Sequence, residues 1–248
     1  MKNLAEMFQI RIGEPITALE YTIYPLFNQG KHAISYIPLA EAFRRSADNN
    51  NSFVIKEVSE AGSVNQLIVI NGLDSCVLIL DGEQLKGAKQ NRAINITSLI
   101  GAGNKVIIPV SCIERGRWHG QSTFFDMKDS DLDMPGDVRS SKLEGVVEKF
   151  QKDFKRGIDP HFSSDQHEVW KAIFNKHLCH RVQSKTGSMT HISRSERFRE
   201  ANKIASMVPL LENQAGILVF RKNVFLGMEY ISAPRVFEDN FKTLLNSY

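Results

Sequence analysis

The sequence predicts an α+β fold: a largely antiparallel N-terminal β-sheet or sandwich, completed by a C-terminal hairpin, with helices from the second half packed against it. Three observations carry this reading. Short β-branched and aromatic segments separated by turn residues fill residues 8–121, helical spacing takes over across 138–211, and a strand pattern returns at 216 before a last helix. A two-stranded ribbon is marginal alone in water, so the terminal hairpin is expected to join the N-terminal sheet, making 1–248 a single domain.

Residues 16–27, 33–37, 53–58, 66–71, 77–80, 93–99 and 106–113 read as strands. The turn signals are Gly30, Ala61-Gly-Ser63, Asn71-Gly72, Asp81-Gly82 and the stretch from Gly101 to Asn104. One helix, 39–46, interrupts the series, because Leu39-Ala-Glu-Ala-Phe-Arg-Arg45 contains only good helix formers and aromatic filler. Residues 122–136 mix Asp126, Asp129, Asp131 and Asp133 with Pro135 and Gly136 without periodicity, and read as a mobile acidic loop. The spacing there lacks the glycine and terminal glutamate of a calcium loop.

Helices follow at 138–154, 164–180 and 193–211, with Val169, Trp170, Ile173, Phe174 and Leu178 marking the apolar side of the second. Ser193-Arg-Ser-Glu196 has the capping-box pattern at the start of the third. Residues 216–220 and 224–231 flank the polar turn Arg221-Lys-Asn223 as a hairpin, and Pro234 opens a final helix.

Hydrophobic residues make up 42% of the chain, enough for a packed core without staples. With 31 basic against 28 acidic residues the net charge is only +3, which argues against a polyelectrolyte role and makes nucleic acid a secondary expectation. Cys76, Cys112 and Cys179 are odd in number, far apart and without a CxxC, excluding a disulfide framework or zinc ribbon and pointing to a reducing, cytoplasmic setting. The first residues carry charges where a signal peptide needs an apolar stretch, and no segment is apolar for the ~18 residues of a membrane span.

Two stretches concentrate chemistry at strand exits. The first is Asp81-Gly-Glu-Gln-Leu-Lys-Gly-Ala-Lys-Gln-Asn-Arg92, behind the apolar run 77–80. Lys86, Lys89 and Arg92 recur every third residue and can converge on an anion, with Gly82 and Gly87 letting backbone N–H groups approach it. Otherwise they are the solvated charges of a hairpin crest. Gln90 and Asn91 need partners if buried, from a ligand or from a hydrogen-bonded turn.

The second stretch is Pro109-Val-Ser-Cys-Ile-Glu-Arg-Gly-Arg-Trp-His119. Strand alternation puts Val110, Cys112 and Glu114 on one face. Arg115 and Arg117 suit phosphates and Trp118 can stack a base, or the three simply pack and snorkel. Glu83 and Glu114 are candidates for acid/base work or for holding a cation, or else partners for the neighbouring cations. Cys112 is a further catalytic candidate if its arginine neighbours lower its pKa, and an inert core thiol if they do not. His177 and His180, three apart on a helix, read as surface residues, and Ser184-Lys-Thr-Gly187 as a connector or a lid.

Together these two stretches resemble the paired signatures of the ARG and Rhodanese-Phosphatase-superfamily-associated protein domain family, where ARG stands for ADP-ribosylglycohydrolase. The likeness covers most of the chain and maps onto Glu83, Gly87, Lys89, Gln90, Asn91, Arg92, Cys112, Glu114, Gly116, Arg117 and Trp118. It implies a neighbourhood of NAD and ADP-ribose processing, without a reaction or a cofactor. The expected function is therefore a cytosolic protein that binds, and processes or simply holds, a phosphorylated nucleotide or ADP-ribose-like ligand. Lys86, Lys89, Gln90, Asn91, Arg92, Arg115, Arg117 and Trp118 would bind it, and Glu83 and Glu114 would do the chemistry. The alternatives are a non-catalytic protein partner in the same pathway and, behind it, an RNA or single-stranded DNA binder.

Overall fold

Alternating apolar residues build the central strands, because successive side chains point to opposite faces. In Gln66–Asn71 the residues Leu67, Val69 and Asn71 are wholly buried while their neighbours are not. A computed structural model describes residues 9–30, 34–48, 52–120, 122–127, 134–159 and 161–248.

Its strands are β1 (Ile10–Ile12), β2 (Ile16–Ala18), β3 (Tyr21–Asn28), β4 (Tyr36–Pro38), β5 (Phe53–Glu57), β6 (Gln66–Asn71) and β7 (Cys76–Ile79). There follow β8 (Gln84–Gly87), β9 (Arg92–Ile94), β10 (Ser98–Ile100), β11 (Lys105–Cys112), β12 (Phe125–Asp126), β13 (Gln214–Arg221) and β14 (Val224–Tyr230). The helices are α1 (Leu39–Asp48), α2 (Gly136–Lys155), α3 (Gln166–His180), α4 (Glu196–Ser206) and α5 (Pro234–Asn246), with a 3₁₀ helix at Met189–Arg194.

The fold is α+β, and its described strands pair antiparallel except for β4 beside β7. The chain divides into two compact units, Met1–Ser35 with Arg199–Tyr248, and Tyr36–Phe198. In the first, the terminal hairpin does join N-terminal strands: β13 lies between β3 and β14 in a sheet that also holds β1 and β2. Lys222 and Asn223 both have positive φ, 46° and 65°, the two-residue turn whose twist matches that of the strands it joins. Helix α5 packs on β13, and its residues Phe237, Phe241 and Leu244 are buried.

In the second unit, a sheet ordered β12-β8-β9-β11-β6-β5 and a smaller one ordered β10-β7-β4 enclose a core of Leu39, Ile55, Leu67, Val69, Val77, Ile79, Ile94, Ile108 and Val110, among others. The opposite face of β9 and β11 supports a second core, where Ala93 and Ile113 meet Val138, Val169, Ile173 and Met189 of the helical layer. Pro109 marks the point where β11 changes partner. Residues 105–109 pair with β6, and from Val110 onward the strand pairs with β9. A residue without an N–H costs least at such a changeover.

Several expectations shift. The 16–27 strand breaks at Leu19-Glu20, where Leu19 takes φ 52°, and the 93–99 strand divides into β9 and β10. Residues 84–87, to which the sequence pattern assigns no strand, form β8, and Phe125-Asp126 of the acidic segment forms β12 against it. Asp129, Asp131 and Asp133 lie outside the described residues. The third helix is shorter than 193–211: a 3₁₀ turn ends at Arg194, and Ser195, not Ser193, caps α4 by accepting from the Phe198 amide at 3.1 Å. No described helix is long and apolar enough to cross a membrane.

Candidate functional site

The register of β9 on β11 decides how the two polar stretches meet. Arg92 lies opposite Cys112, and one step further the Ile113 amide donates to the Asn91 carbonyl at 3.1 Å. The chain beyond β11 therefore runs out beside the turn joining β8 to β9. The 87–92 segment and the 112–118 segment are thereby brought together.

Arg117 locks them. Its Nε donates to Glu114 Oε2 at 2.8 Å, and one terminal nitrogen donates to the carbonyls of Ala88 at 2.8 Å and His119 at 3.3 Å. The other donates to Asn91 Oδ1 at 3.0 Å and the Gly87 carbonyl at 3.3 Å, and lies 2.6 Å from Glu114 Oε2. Every N–H of this buried guanidinium is engaged, so none is left for a ligand phosphate. Glu114 is equally occupied. Its Oε2 also accepts from the Asn91 amide at 3.2 Å, its Oε1 accepts from the Thr186 hydroxyl at 2.9 Å, and its carbonyl accepts from Gln90 Nε2 at 3.2 Å.

Arg92 is wholly buried. It donates to Gln90 Oε1 at 2.7 Å and the Ser63 carbonyl at 3.2 Å, with Glu57 Oε1 3.7 Å away. Its Nε has no hydrogen-bond partner among the described residues. Burial lowers its pKa, but a guanidinium stays charged. Lys89 and Arg92 both stand over the ring of half-exposed Trp118, at 5.6 and 5.7 Å from its centroid, and Lys89 also donates to the Ala61 carbonyl at 3.2 Å.

The other candidates sit elsewhere. Glu83, buried, accepts from the Leu80 amide at 2.7 Å and pairs by backbone with Ile94, at the end of β9 away from Glu114. Lys86 faces Asp126 across the β8–β12 rung. Asp81 belongs to a separate cluster, bonded to the buried Lys142 ammonium and, at 3.1 Å, to Arg139. Lys142 also donates to the carbonyls of Ile94 at 2.6 Å and Asn95 at 3.1 Å. Burial pulls its pKa down to about 8 despite Asp81.

Arg115 differs from its two neighbours. It is exposed, its guanidinium makes no hydrogen bond or ion pair among the described residues, and it lies over the Trp170 ring at 5.2 Å from the centroid. There it lines a cleft of about 270 Å³. Helix α3 supplies most of the remaining wall through His167, Trp170, Lys171, Phe174 and His177, a stripe at helical spacing beside the core stripe of Val169 and Ile173. Asp165 caps this helix by accepting from the amides of His167 and Glu168 at 2.9 and 3.3 Å. Gly187 also lines it.

Gly187 belongs to the 184–188 segment, which connects α3 to the 3₁₀ helix and is pinned to the second polar stretch. The Gly116 amide donates to the Thr186 carbonyl at 2.7 Å, Ser188 bridges to Glu114, and Asn91 Nδ2 donates to the Ser188 hydroxyl at 3.3 Å. A Cβ on Gly116 would stand 2.9 Å from the Thr186 Cα.

These surroundings set the ionisation states. Burial alone would raise the Glu114 carboxyl, but Arg117, Thr186 and the Asn91 amide together hold it below the usual range, so it is an ionised acceptor with no proton to give. Burial pushes the Cys112 thiol up against the opposing pull of the Glu114 amide and Arg92, which leaves it a poor nucleophile. Burial lowers His177 against the pull of its bond to the Ser188 carbonyl. His177 is thus a buried cleft residue, in place of the surface residue expected from its helical spacing.

The sequence reading missed His167, Lys171, Phe174 and His177 as cleft residues, and Thr186, Ser188 and Lys142 as anchors. The available signal was the spacing of His167, Lys171, Phe174 and His177 along one helical stripe. Nothing local tied that stripe to Arg115.

No curated protein and no solved structure matches the chain. A family model does, over residues 9–248, and it takes in both polar stretches and the 184–188 segment that binds them. The chain belongs to the ARG and Rhodanese-Phosphatase-superfamily-associated Protein domain family.

Proposed function

We propose that the protein binds a phosphorylated nucleotide of the ADP-ribose class, with the charged half of the ligand in the cleft between Arg115 and α3. One observation carries the reading: of the three arginines in the two polar stretches, only Arg115 makes no hydrogen bond or ion pair among the described residues, and it stands in the cleft over the Trp170 ring. Lys171 adds a second cation, partly compensated by Glu168 at 3.2 Å, and His167 a third polar group. Trp170 and Phe174 provide apolar faces for a base or sugar. The volume lies just below the roughly 300–1,000 Å³ of drug-sized pockets, so the cleft suits one half of a dinucleotide-like ligand.

On this reading the buried arginines are scaffold. Arg92 and Arg117 hold the 87–92 and 112–118 segments together, and Arg115 meets the anion. The test is thermal-shift and calorimetric titration with NAD, ADP-ribose and AMP. Binding should occur in the parent and fall at least about tenfold in Arg115→Ala, the loss of a charge-assisted contact. Absence of any shift in the parent rejects the reading.

A second reading, docking on another protein of the same pathway, draws support from β14. It is the outer strand of its sheet, and Val224 and Phe225 are 63% and 55% exposed. Phe225→Lys should then release a co-purifying partner without touching nucleotide affinity. The single-stranded nucleic acid reading has less support, since Arg92 and Arg117 are buried and, of the two cations over Trp118, Arg92 is enclosed and only Lys89 is partly exposed.

A further inference from the structure

His177 is the cleft residue whose position the two polar stretches define most closely. Its Nε2 lies 3.0 Å from the Ser188 carbonyl, which only accepts, so Nε2 carries the proton and Nδ1 presents a lone pair. No described group bonds Nδ1, although the residue is 7% exposed and lines the cleft. Nδ1 is not among the described buried atoms that lack a partner, so it is an acceptor left open on a residue that lines the cleft.

The ring is held through a chain of contacts that begins in the sequence signatures. Asn91 donates to the Ser188 hydroxyl at 3.3 Å, Thr190 shares that hydroxyl at 2.8 Å, and Glu114 forms the bridge to Ser188. The Ser188 carbonyl then fixes the imidazole. Asn91 and Glu114 are not among the residues that line the cleft and act on it at one remove.

We propose that His177 Nδ1 accepts a hydrogen bond from a hydroxyl of the bound ligand, so that the cleft selects a phosphorylated sugar over an anion without hydroxyls. This rests on the nucleotide-binding reading above and deepens it. Arg115 and Lys171 recognise the phosphate, and His177 reads the sugar attached to it. His177 is here a specificity residue in direct contact with the ligand. Asn91, Glu114 and Ser188 are positioning residues.

The two amide substitutions at this position separate the two nitrogens. Gln places its amide nitrogen near Nε2 and can keep the bond to Ser188, but it offers nothing at Nδ1. Asn places an acceptor near Nδ1 and gives up the anchor. ADP-ribose and inorganic pyrophosphate serve as calorimetric probes, the second being the anion alone, each titrated into the parent, His177→Gln and His177→Asn.

His177→Gln should weaken ADP-ribose about tenfold and leave pyrophosphate within about twofold. His177→Asn should lose less ADP-ribose affinity than His177→Gln. Equal losses for both probes in His177→Gln, or no loss for either, overturns the proposal while leaving nucleotide binding intact. If His177→Gln does not fold, the parent's preference decides alone: ADP-ribose bound no more tightly than pyrophosphate overturns it. A parent that binds neither probe removes the nucleotide reading itself.

Discussion

Thr186 donates to Glu114 across 72 residues of chain, its hydroxyl 2.9 Å from the carboxylate oxygen that Arg117 leaves open. That contact joins the helical layer to the β11 exit and gives the second carboxylate oxygen of Glu114 a donor. A carboxylate so enclosed serves the fold, and its removal should register in stability.

Glu114→Gln leaves the buried Arg117 charge uncompensated. Breaking a buried pair costs about 3–5 kcal/mol, so the melting temperature should drop by roughly 6 °C or more. The pH dependence has a defined sign. Because the folded pKa is lowered, the stabilisation is complete above the unfolded value near 4.5 and is lost as pH falls through the lower folded value. Denaturation curves between pH 3 and 7 should therefore show a shallower acid limb in the variant. A variant as stable as the parent, with the same acid limb, would return Glu114 to the list of catalytic candidates.

Lys142 gives the opposite limb. Its pKa is about 8 in the folded chain against 10.5 as a free side chain, so the unfolded chain holds more protons between these values and parent stability rises with pH across the window. The full rise is on the order of 3 kcal/mol. Lys142→Met should lack it. Urea melts of both proteins at pH 7.5, 9 and 10 measure the difference, and parallel curves would show that Lys142 does not titrate in the native state.

Cysteine labelling reads the site without any ligand. Cys179 is exposed, Cys76 half-buried and Cys112 buried with a raised thiol pKa. Iodoacetamide at neutral pH should modify Cys179 first and reach Cys112 only on unfolding. Rapid native modification of Cys112 would revive it as a nucleophile.

Gly116→Ala tests the seat of the 184–188 segment. The added Cβ meets the Thr186 Cα, O and C at 2.9, 3.0 and 3.1 Å, and backbone atoms cannot swing aside as a side-chain tip can. A loss of about 1–3 kcal/mol is expected. Trypsin should cut after Lys185 faster than in the parent, and unchanged cleavage would mean that the segment is held by other contacts.

The sequence by itself determined the α+β class, most strands, the helix starts at Leu39 and Pro234, and the β13–β14 hairpin. Each depends on neighbours in the chain: apolar alternation, helical spacing, or a turn whose residues tolerate positive φ. It also marked 81–92 and 112–118 as the chemically dense stretches, which the β9–β11 register brings together from Gly87 onward. Glu83 sits at the end of β9 away from Glu114, where its carboxylate accepts from the Leu80 amide.

Only the tertiary structure decided which charges face inward. Arg92, Arg115 and Arg117 look alike in sequence, yet two are enclosed and one is open. The difference lies in partners such as Ser63, Ala88, Asn91 and Trp170, distant in the chain or on another element, and in the desolvation that comes with them. The same holds for His177, whose spacing suggested the surface until Ser188 folded over it. Burial and hydrogen-bond saturation depend on what arrives from elsewhere in the chain, and local patterns carry no record of that arrival.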